Sequence, residues 1–272
     1  MRVAVRRSVI DGLHKTFDRV KNSQKPPSYQ PYQLLMLGGD DLLLVCQAKY
    51  AFDFLVNYAQ SLAQIPLIDG KLLSIGAGVV ITSPRIPFHH LHHLAEELMK
   101  SAKHLFRDCE ENISVVDWII STNAWTDKPI ISRQREMRVS YEVDGQRETL
   151  ALTGRPYPIL QTAEKESLNS LQSLSQAAKY LTDATEESQA ARSQLRQLVY
   201  ELAQGRRWAD LCLQGLPKET LEVLSTLACL REDSCWQSID TQTWQTVLAD
   251  LIELYEIPNL QRQDKNEPAN TV

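Results

Sequence analysis

The sequence predicts an α/β (α+β) layer over residues 1–160, followed by an all-α helical bundle over 161–258 and a disordered polar tail over 259–272. The first observation is that helical and strand patterns interleave up to about residue 160, as they do where helices pack against a sheet. The second is that only helical periods follow, with breaks at Gly205 and Gly215. The third is the polar composition of the last residues, which favours disorder at a terminus.

The composition is that of a globular protein with a core of its own. The chain has 272 residues, of which 43% are hydrophobic and 23% are charged. Its formal net charge of -5 argues against a surface that binds nucleic acid all over. Residues 1–25 differ from the rest, because they carry seven basic and two acidic side chains. This basic face either contacts phosphate or is simply solvated.

The five cysteines are odd in number, far apart and without a C-x-x-C pair. This pattern indicates neither a disulfide framework nor a zinc site, and it is typical of proteins in a reducing cytosol. The N-terminus is charged and lacks the continuous apolar core of a signal peptide. No stretch approaches the roughly 20 apolar residues that span a bilayer. We therefore expect a cytoplasmic protein without a membrane segment.

The elements of the first part follow from their hydrophobic periods. The opening segment is predicted as a helix because Val5, Val9 and Phe17 share one face. Two short apolar runs within residues 34–46 are predicted as paired strands, because glycines bound them. Next come a helix over "AFDFLVNYAQSLAQI", a strand over "LLSIGAGVVITS" and a helix over "PFHHLHHLAEELMKSAKHLF". The small residues of that strand indicate close approach of another element.

Later segments complete the pattern. "ISVVDWII" is predicted as a strand, and "EMRVSYEVDGQRETLAL" alternates on both sides of Asp144-Gly145, which predicts a hairpin with a two-residue turn. The segments "LNSLQSLSQAAKYL", "SQLRQLVYELAQ", "KETLEVLSTLACL" and "TQTWQTVLADLIELYEI" are all predicted as helices. Short connections between them favour a helical bundle.

A Gly-Gly-Asp-Asp sequence, Gly38 to Asp41, stands between the two apolar runs. A hairpin tip at this point would expose the adjacent carboxylates of Asp40 and Asp41, which are ligands that Mg²⁺ or Mn²⁺ accepts. Gly38 and Gly39 would leave room for a triphosphate beside the backbone. Two-metal phosphoryl transfer needs this kind of arrangement. The alternative is a turn selected only for positive φ and solubility.

Several segments stand in a particular order around this turn. "RRSVIDGL" precedes it, "LLMLGGDDLLLVC" contains it, and "SIGAGVVITSPRIPFHHLHHLAEELMKSAK" follows it. "LTGRPYPIL" and "ARSQLRQLVYELAQGR" come later, so the set covers most of residues 6–210. In this order the segments resemble the second palm and the C-terminal helical domain of the large subunit of type III CRISPR effector complexes. The resemblance implies a ferredoxin-like/nucleotidyl-cyclase palm followed by an all-α bundle.

The resemblance also implies an activity, because members of that family convert ATP into cyclic oligoadenylate in antiviral defence when target RNA is bound. It makes Asp40 and Asp41 the catalytic metal ligands for Mg²⁺ or Mn²⁺, and it places Gly38 and Gly39 in the nucleotide pocket. Lys103, in "MKSAK", stands where a helix lysine reaches a phosphate in related palms, although a surface lysine is an equal alternative. The implied partners are other effector subunits, with guide and target RNA reached through the complex.

One feature of the family is absent from this sequence. The family's palm begins with a strand that carries another acidic metal ligand, whereas "MRVAV" is short, basic and free of carboxylates. We therefore expect a palm without its first strand, so a non-catalytic truncated module that docks on effector subunits and RNA stays open as an alternative. A diguanylate-cyclase relative ranks last, because that family usually has Glu and Phe where Asp41 and Leu42 stand.

Two further groups of side chains invite functional interpretation. His89, His90, His92 and His93 crowd one helical stretch, but they lie beside its apolar stripe and lack an H-E-x-x-H pattern, which disfavours zinc binding. Five arginines surround the hairpin over 137–152, and they are candidates to contact RNA phosphate or a partner subunit, with simple solvation as the alternative. These are Arg133, Arg135, Arg138, Arg147 and Arg155.

Overall fold

A computed structural model provides the coordinates, and its described part has mixed α+β architecture with three small sheets and nine α-helices. Lys25, Cys109, Cys229 and the Asp144-Gly145 turn lie outside the described residues. The described ranges are 1–21, 29–108, 112–121, 128–143, 146–161, 170–183, 187–227 and 234–263.

Helices and strands are interspersed up to residue 158, and two further strands precede the last helix near the C-terminus. The helices are α1 (Arg2–Lys21), α2 (Ala48–Leu62), α3 (Phe88–Asp108), α4 (Pro129–Glu136), α5 (Leu171–Asp183), α6 (Glu187–Glu201), α7 (Arg206–Gln214), α8 (Lys218–Leu227) and α9 (Leu248–Gln263). The strands are β1 (Tyr32–Gly38), β2 (Asp41–Cys46), β3 (Gly76–Thr82), β4 (Val115–Ser121), β5 (Arg138–Val143), β6 (Gln146–Ala151), β7 (Tyr157–Pro158), β8 (Gln237–Ser238) and β9 (Thr243–Gln245).

The strands form three separate sheets. The hairpin β1–β2 is a two-stranded antiparallel sheet, as the glycine-bounded apolar runs predicted. In the second sheet, β3 and β4 are parallel and β7 adds two antiparallel pairs at the start of β4. The third sheet has the order β5-β6-β9-β8. Within the described ranges, no strand pairing joins the hairpin to β3. This separation occurs although α2 is the only helix or strand between β2 and β3 in the described chain.

Helices α1 and α2 pack closely because small side chains line their contact. Residues at every fourth position of α1, Ala4, Ser8, Gly12 and Thr16, are buried. A Cβ at Gly12 would lie 3.2 Å from the backbone and Cβ of Tyr58 on α2, so only glycine fits without a shift. This helix pair is the layer on which the hairpin lies.

Helix α3 lies directly on β3, and the contact requires Gly78. A Cβ at Gly78 would stand 2.7 Å from the backbone nitrogen of Met99 and would also meet the carbonyl of Ala95. The small residues of this strand therefore permit the close approach that the sequence predicted. On the buried side of α3, Leu94 and Leu98 are each 1% exposed.

The prediction of an all-α region over 161–258 is wrong. Strand β9 lies within "TQTWQTVLADLIELYEI", which was predicted as one helix, and it pairs in parallel with β6. The backbone N–H of Thr149 donates to Gln242 at 2.8 Å, and that of Thr246 donates to Ala151 at 3.0 Å. The unpaired edge of β6 thus outweighs the local helical period, a tertiary effect that sequence propensity does not contain.

The last helix also extends beyond the predicted start of the polar tail. Helix α9 runs to Gln263, so residues 259–263 are helical, and residues 264–272 lie outside the described part of the chain. Helix α4, over a stretch to which the sequence analysis assigned no element, connects the second sheet to β5. Among the described helices, none is both long and apolar enough to cross a membrane.

One hydrophobic core joins the second and third sheets to the C-terminal helices. It runs from Phe52 on α2 and Trp118 on β4 to Leu198 on α6 and Leu251 on α9, without a break at residue 160. A second, smaller cluster around Val5, Val9, Phe54 and Tyr58 holds the hairpin. The partly buried Ile75, just before β3, packs against both clusters.

Candidate functional site

The Gly-Gly-Asp-Asp sequence forms the tip of the β1–β2 hairpin. Gly38 and Asp41 are paired across the two strands, and Gly39 and Asp40 form the loop between them. Gly39 has φ of +69°, a left-handed conformation that favours glycine over any residue with a Cβ. Asp40 and Asp41 are both exposed. The tip therefore presents two adjacent carboxylates to solvent.

The space around the two glycines is open. A Cβ at either position would meet nothing within 4 Å. Gly39 is explained by its positive φ, but nothing in the described fold requires glycine at position 38. A ligand that approaches the backbone at Gly38 would make the absence of a side chain useful there.

The two carboxylates have no partner within the described part of the chain. Among the described residues, no hydrogen bond or ion pair involves the side chain of Asp40 or Asp41, and no group of three or more His, Cys, Asp and Glu residues comes together there as a metal site. Among the residues that the structure describes, the four clustered histidines belong to no such group. A Mg²⁺ ion takes about six oxygen ligands, so water, phosphate or a carboxylate from another element would have to complete its coordination at this tip.

The tip is held by apolar contacts on one side of the hairpin. Leu37 and Leu42, which flank the turn, pack with Leu44 against the cluster of Val5 and Phe54. On the hairpin as a whole, Leu34, Leu35, Met36 and Val45 are each about 40% exposed, between 39% and 45%. A two-stranded hairpin is marginal on its own, so its position depends on these helix contacts.

Lys103 lies on α3, and its stem crosses the start of β3. A Cβ at Gly76 would lie 2.8 Å from Cγ of Lys103, so the aliphatic part of the lysine fills the space above that glycine. Ile75, the neighbour of Gly76, packs against the same cluster as Leu37 and Leu42. No hydrogen bond or ion pair joins Lys103 to Asp40 or Asp41 among the described residues.

Two of the five candidate arginines do not face solvent. The side chain of Arg133 is 12% exposed, and both of its terminal nitrogens bind the fully buried Asp117, one of them at 2.6 Å. The side chain of Arg155 is 3% exposed, and it binds Asp250 and Glu253. These two arginines are therefore unavailable to RNA phosphate, which corrects that interpretation. Arg135, Arg138 and Arg147 are exposed.

Sequence reasoning missed a buried polar network around Asp250. Its carboxylate accepts hydrogen bonds from the Thr153 hydroxyl at 2.8 Å, from the Gly154 N–H at 2.8 Å and from the Tyr157 hydroxyl at 2.6 Å. The Nε of Arg155 adds an ion pair at 2.9 Å. Burial raises the pKa of Tyr157 well above its ordinary value, and its hydroxyl therefore stays a donor. The signal for this network was a carboxylate inside the apolar run "VLADLIELY".

Comparison with known proteins gives no match: no protein-family model matches the chain, and no curated protein matches it. The hairpin tip and the side chains around it are therefore the features from which a function is inferred.

Proposed function

We propose that this chain is the palm region and helical domain of a type III CRISPR effector large subunit, which binds ATP with Mg²⁺ or Mn²⁺ and acts in antiviral defence. The observation that carries the proposal is the hairpin tip. Two exposed carboxylates without partners in the described chain stand beside glycines around which space is open. The product expected of a complete site is cyclic oligoadenylate.

The chemistry assigns a role to each residue of the tip. Asp40 and Asp41 would hold the metal ions, which would supply activation of an attacking ribose 3′-hydroxyl and neutralise the charge of the leaving pyrophosphate. The 3′-oxygen would attack the α-phosphorus of a second ATP and its proton would pass to solvent, while the bond from that phosphorus to pyrophosphate would break as the new phosphodiester bond forms. The open backbone at Gly38 and Gly39 accommodates the phosphates, and Lys103 supplies a cation for them.

The proposal also includes the partners of the chain and its location in the cell. The proposed partners are other effector subunits and, through them, guide and target RNA, with the exposed Arg135, Arg138 and Arg147 as the phosphate contacts. The proposed location is the cytoplasm, where such a complex would meet ATP and RNA.

The topology around α2 supports the idea of a palm without one strand. Strands β2 and β3 are joined by a helix, yet they belong to different sheets. Leu42 and Leu44 of β2 and Ile75, just before β3, nevertheless pack against the same apolar cluster. A strand–helix–strand unit whose two strands are not paired with each other is the pattern of a split βαβ motif, in which a further strand lies between the two. We infer that a strand from another polypeptide segment completes this layer and brings the additional carboxylate.

A non-catalytic docking module is the second candidate, and one observation favours it. Within the described ranges only two carboxylates stand at the tip, and no third metal ligand accompanies them. Such a module would keep the palm shape and the exposed arginines for assembly, and it would bind ATP weakly.

The test compares wild type with Asp40→Ala/Asp41→Ala by titration calorimetry with ATP and Mn²⁺, and by oligoadenylate formation with the effector subunits and target RNA present. Glu96→Ala/Glu97→Ala is the matched control, because it removes two adjacent surface carboxylates from α3. We expect loss of ATP binding and of product only in the tip variant. Weak ATP binding, equal in wild type and the tip variant, without product in any assembly would favour the docking module. Equal ATP binding by wild type and the tip variant would contradict both the metal role and the proposal.

A further inference from the structure

Helix α1 has a second face, which the described fold leaves uncovered. Its buried face, which includes Ala4, Ser8 and Gly12, packs against α2. On the opposite side, Val3 is 80% exposed and Ile10 is 52% exposed, so both apolar side chains lie mostly in solvent. Neither of them belongs to an apolar cluster of the described chain.

Two arginines stand between these apolar side chains. Arg6 lies three residues after Val3 and four before Ile10, whereas Arg7 lies four residues after Val3 and three before Ile10. Side chains at these separations are neighbours on a helix surface, so the four surround one depression. In coiled coils, four residues with this spacing form the hole that receives a side chain of the facing helix. Together they form the outer face of α1: Val3, Arg6, Arg7 and Ile10.

The two guanidinium groups of this face are exposed and uncompensated. In the described part of the chain, neither Arg6 nor Arg7 has a hydrogen-bond or ion-pair partner. The next turns of α1 differ, because His14 pairs with Asp18 at 2.9 Å and Phe17 is buried. The outer face is therefore confined to the first three turns of α1, and its charge is positive.

The composition of the outer face distinguishes three kinds of occupant. Nucleic acid would pair with the arginines through phosphate but would leave Val3 and Ile10 without an apolar partner. A bilayer surface suits a helix with a broad apolar face, whereas here a guanidinium group stands on each side of a stripe one side chain wide. A helix that inserts an apolar side chain between Val3 and Ile10, with carboxylates beside the arginines, uses all four residues.

We propose that the outer face of α1 binds an acidic amphipathic helix of a partner protein. An apolar side chain of that helix occupies the hole, and its carboxylates pair with Arg6 and Arg7. The contact spans only three turns, so its area is that of a transient interface. The inference is independent of the proposed nucleotide function, because it uses no residue of the hairpin tip and none of the arginines proposed to contact RNA.

The test follows the fluorescence anisotropy of labelled helical peptides during titration with the full chain. The probe is three heptads long, has leucine at its seam positions and glutamate at the flanking positions, and is used below the concentration at which it self-associates. A second peptide has lysine in place of every glutamate. Because charges across such a rim attract or repel, we expect the wild type to bind the glutamate peptide about tenfold more tightly or better. Equal affinities, or no binding of either peptide, would overturn the proposal.

Charge reversal locates the contact. Arg6→Glu/Arg7→Glu should invert the preference, so that the lysine peptide binds more tightly, a result that loss of folding cannot produce. Arg207→Glu/Lys218→Glu is the matched control, because it makes the same change of charge at exposed positions of α7 and α8. This control should keep the preference for the glutamate peptide. An unchanged preference in Arg6→Glu/Arg7→Glu, or an inverted one in the control, would contradict the assignment.

The apolar side chains and the other occupants are tested separately. Val3→Ser/Ile10→Ser keeps the charge of the outer face and should weaken binding of the glutamate peptide about tenfold, because the seam leucine loses its apolar contacts. Equal binding by this variant and the wild type would contradict the role of the hole. The wild type is also titrated with vesicles of phosphatidylcholine and phosphatidylglycerol in equal parts, and with a single-stranded uridine oligonucleotide. If either binds more tightly than the glutamate peptide and is lost in Arg6→Glu/Arg7→Glu, a helix is the wrong occupant.

Discussion

Gly38 and Gly39 are neighbours in the hairpin turn, but their backbones have different requirements. Gly39 has positive φ, whereas Gly38 belongs to β1, and a Cβ at either would lie in open space. We predict that Gly39→Ala lowers the free energy of unfolding by about 1–2 kcal/mol, the cost of left-handed backbone for a residue with a Cβ. Gly38→Ala should change it by less than about 0.5 kcal/mol. Urea unfolding followed by circular dichroism measures both, and equal losses would contradict this account of the turn.

Gly78 gives a second prediction at the residue scale, because the backbone of α3 occupies the place of its Cβ. We expect Gly78→Ala to lower the free energy of unfolding by about 1–3 kcal/mol, since either the helix or the strand must shift. Gly215→Ala is the control: its φ is -79°, and a Cβ there would stand 3.4 Å from the Cys212 carbonyl, an ordinary contact. Thermal unfolding of both variants should show a loss of stability for Gly78→Ala only. Similar melting temperatures would contradict the close packing of α3 on β3.

At the scale of elements, Asp250 connects α9 to the segment between β6 and β7. Four donors from Thr153, Gly154, Arg155 and Tyr157 converge on its buried carboxylate. Replacing Asp250 with Ala would leave Arg155 without one of its two carboxylates and several donors unsatisfied. We predict a loss of about 3–5 kcal/mol in the free energy of unfolding.

The control for this prediction is Glu256→Ala on the same helix. Its ion pair with Arg196 is partly solvent-exposed, and such pairs contribute about 0–1 kcal/mol. Guanidinium unfolding distinguishes the two variants. A loss of less than about 1 kcal/mol for Asp250→Ala would show that the network does not hold α9 in place.

The ion pair between Glu148 on β6 and Arg206 on α7 predicts a pH dependence. The hydrogen bonds from Arg206, at 2.9 and 3.1 Å, lower the pKa of Glu148 below its usual range. A carboxyl group whose pKa is lowered by folding stabilises the folded state at pH above its unfolded value, about 4.3, and loses this contribution as pH falls through the folded pKa. Glu148→Gln should therefore reduce the melting temperature near pH 6 and have a diminishing effect below about pH 4. A difference that is constant between pH 3 and pH 7 would contradict this linkage.

The sequence predicted most elements before residue 160, and the reason is that their signals are local. The hairpin at Gly39 depends on turn chemistry, and Gly78 belongs to a strand whose small residues predicted close approach. Strand β9 was not predicted, because Trp244 is placed by pairing with Leu150 and by the guanidinium of Arg206, whose carbon lies 3.7 Å from its ring centroid. These partners are distant in the sequence, so the local hydrophobic periodicity does not indicate them.

At the candidate site, too, some features follow from the local sequence and others depend on partners that are distant in the sequence. The carboxylates at Asp40 and Asp41 follow from a turn of four residues, and their role in metal binding stays a prediction. The interpretation of Arg133 and Arg155 as surface groups was wrong for a long-range reason, because their partners come from other elements, β4 and α9. An arginine-rich hairpin predicts a charged surface only where no buried carboxylate lies within reach of the side chain.

At the scale of the whole molecule, the core determines how the chain unfolds. The sequence suggested a boundary near residue 160, but buried residues on both sides of it belong to one cluster, and β9 completes the sheet that β6 begins. We predict one cooperative thermal transition, with equal calorimetric and van't Hoff enthalpies. We also predict that a fragment of residues 1–161 lacks fixed tertiary packing, because Phe52, Trp118 and Leu150 would lose the apolar partners that α5 and α9 provide.

Scanning calorimetry and near-ultraviolet circular dichroism test both expectations. The hairpin with α1 is the control region, since its separate small cluster contacts the main core through Ile75. If this region alone opens early, hydrogen exchange should be fast at β1 and β2 while amides of β4 and α9 stay protected, because few buried apolar contacts hold the hairpin. Two well-separated calorimetric transitions, or a folded 1–161 fragment with native near-ultraviolet signal, would instead show that the two halves are stable without each other.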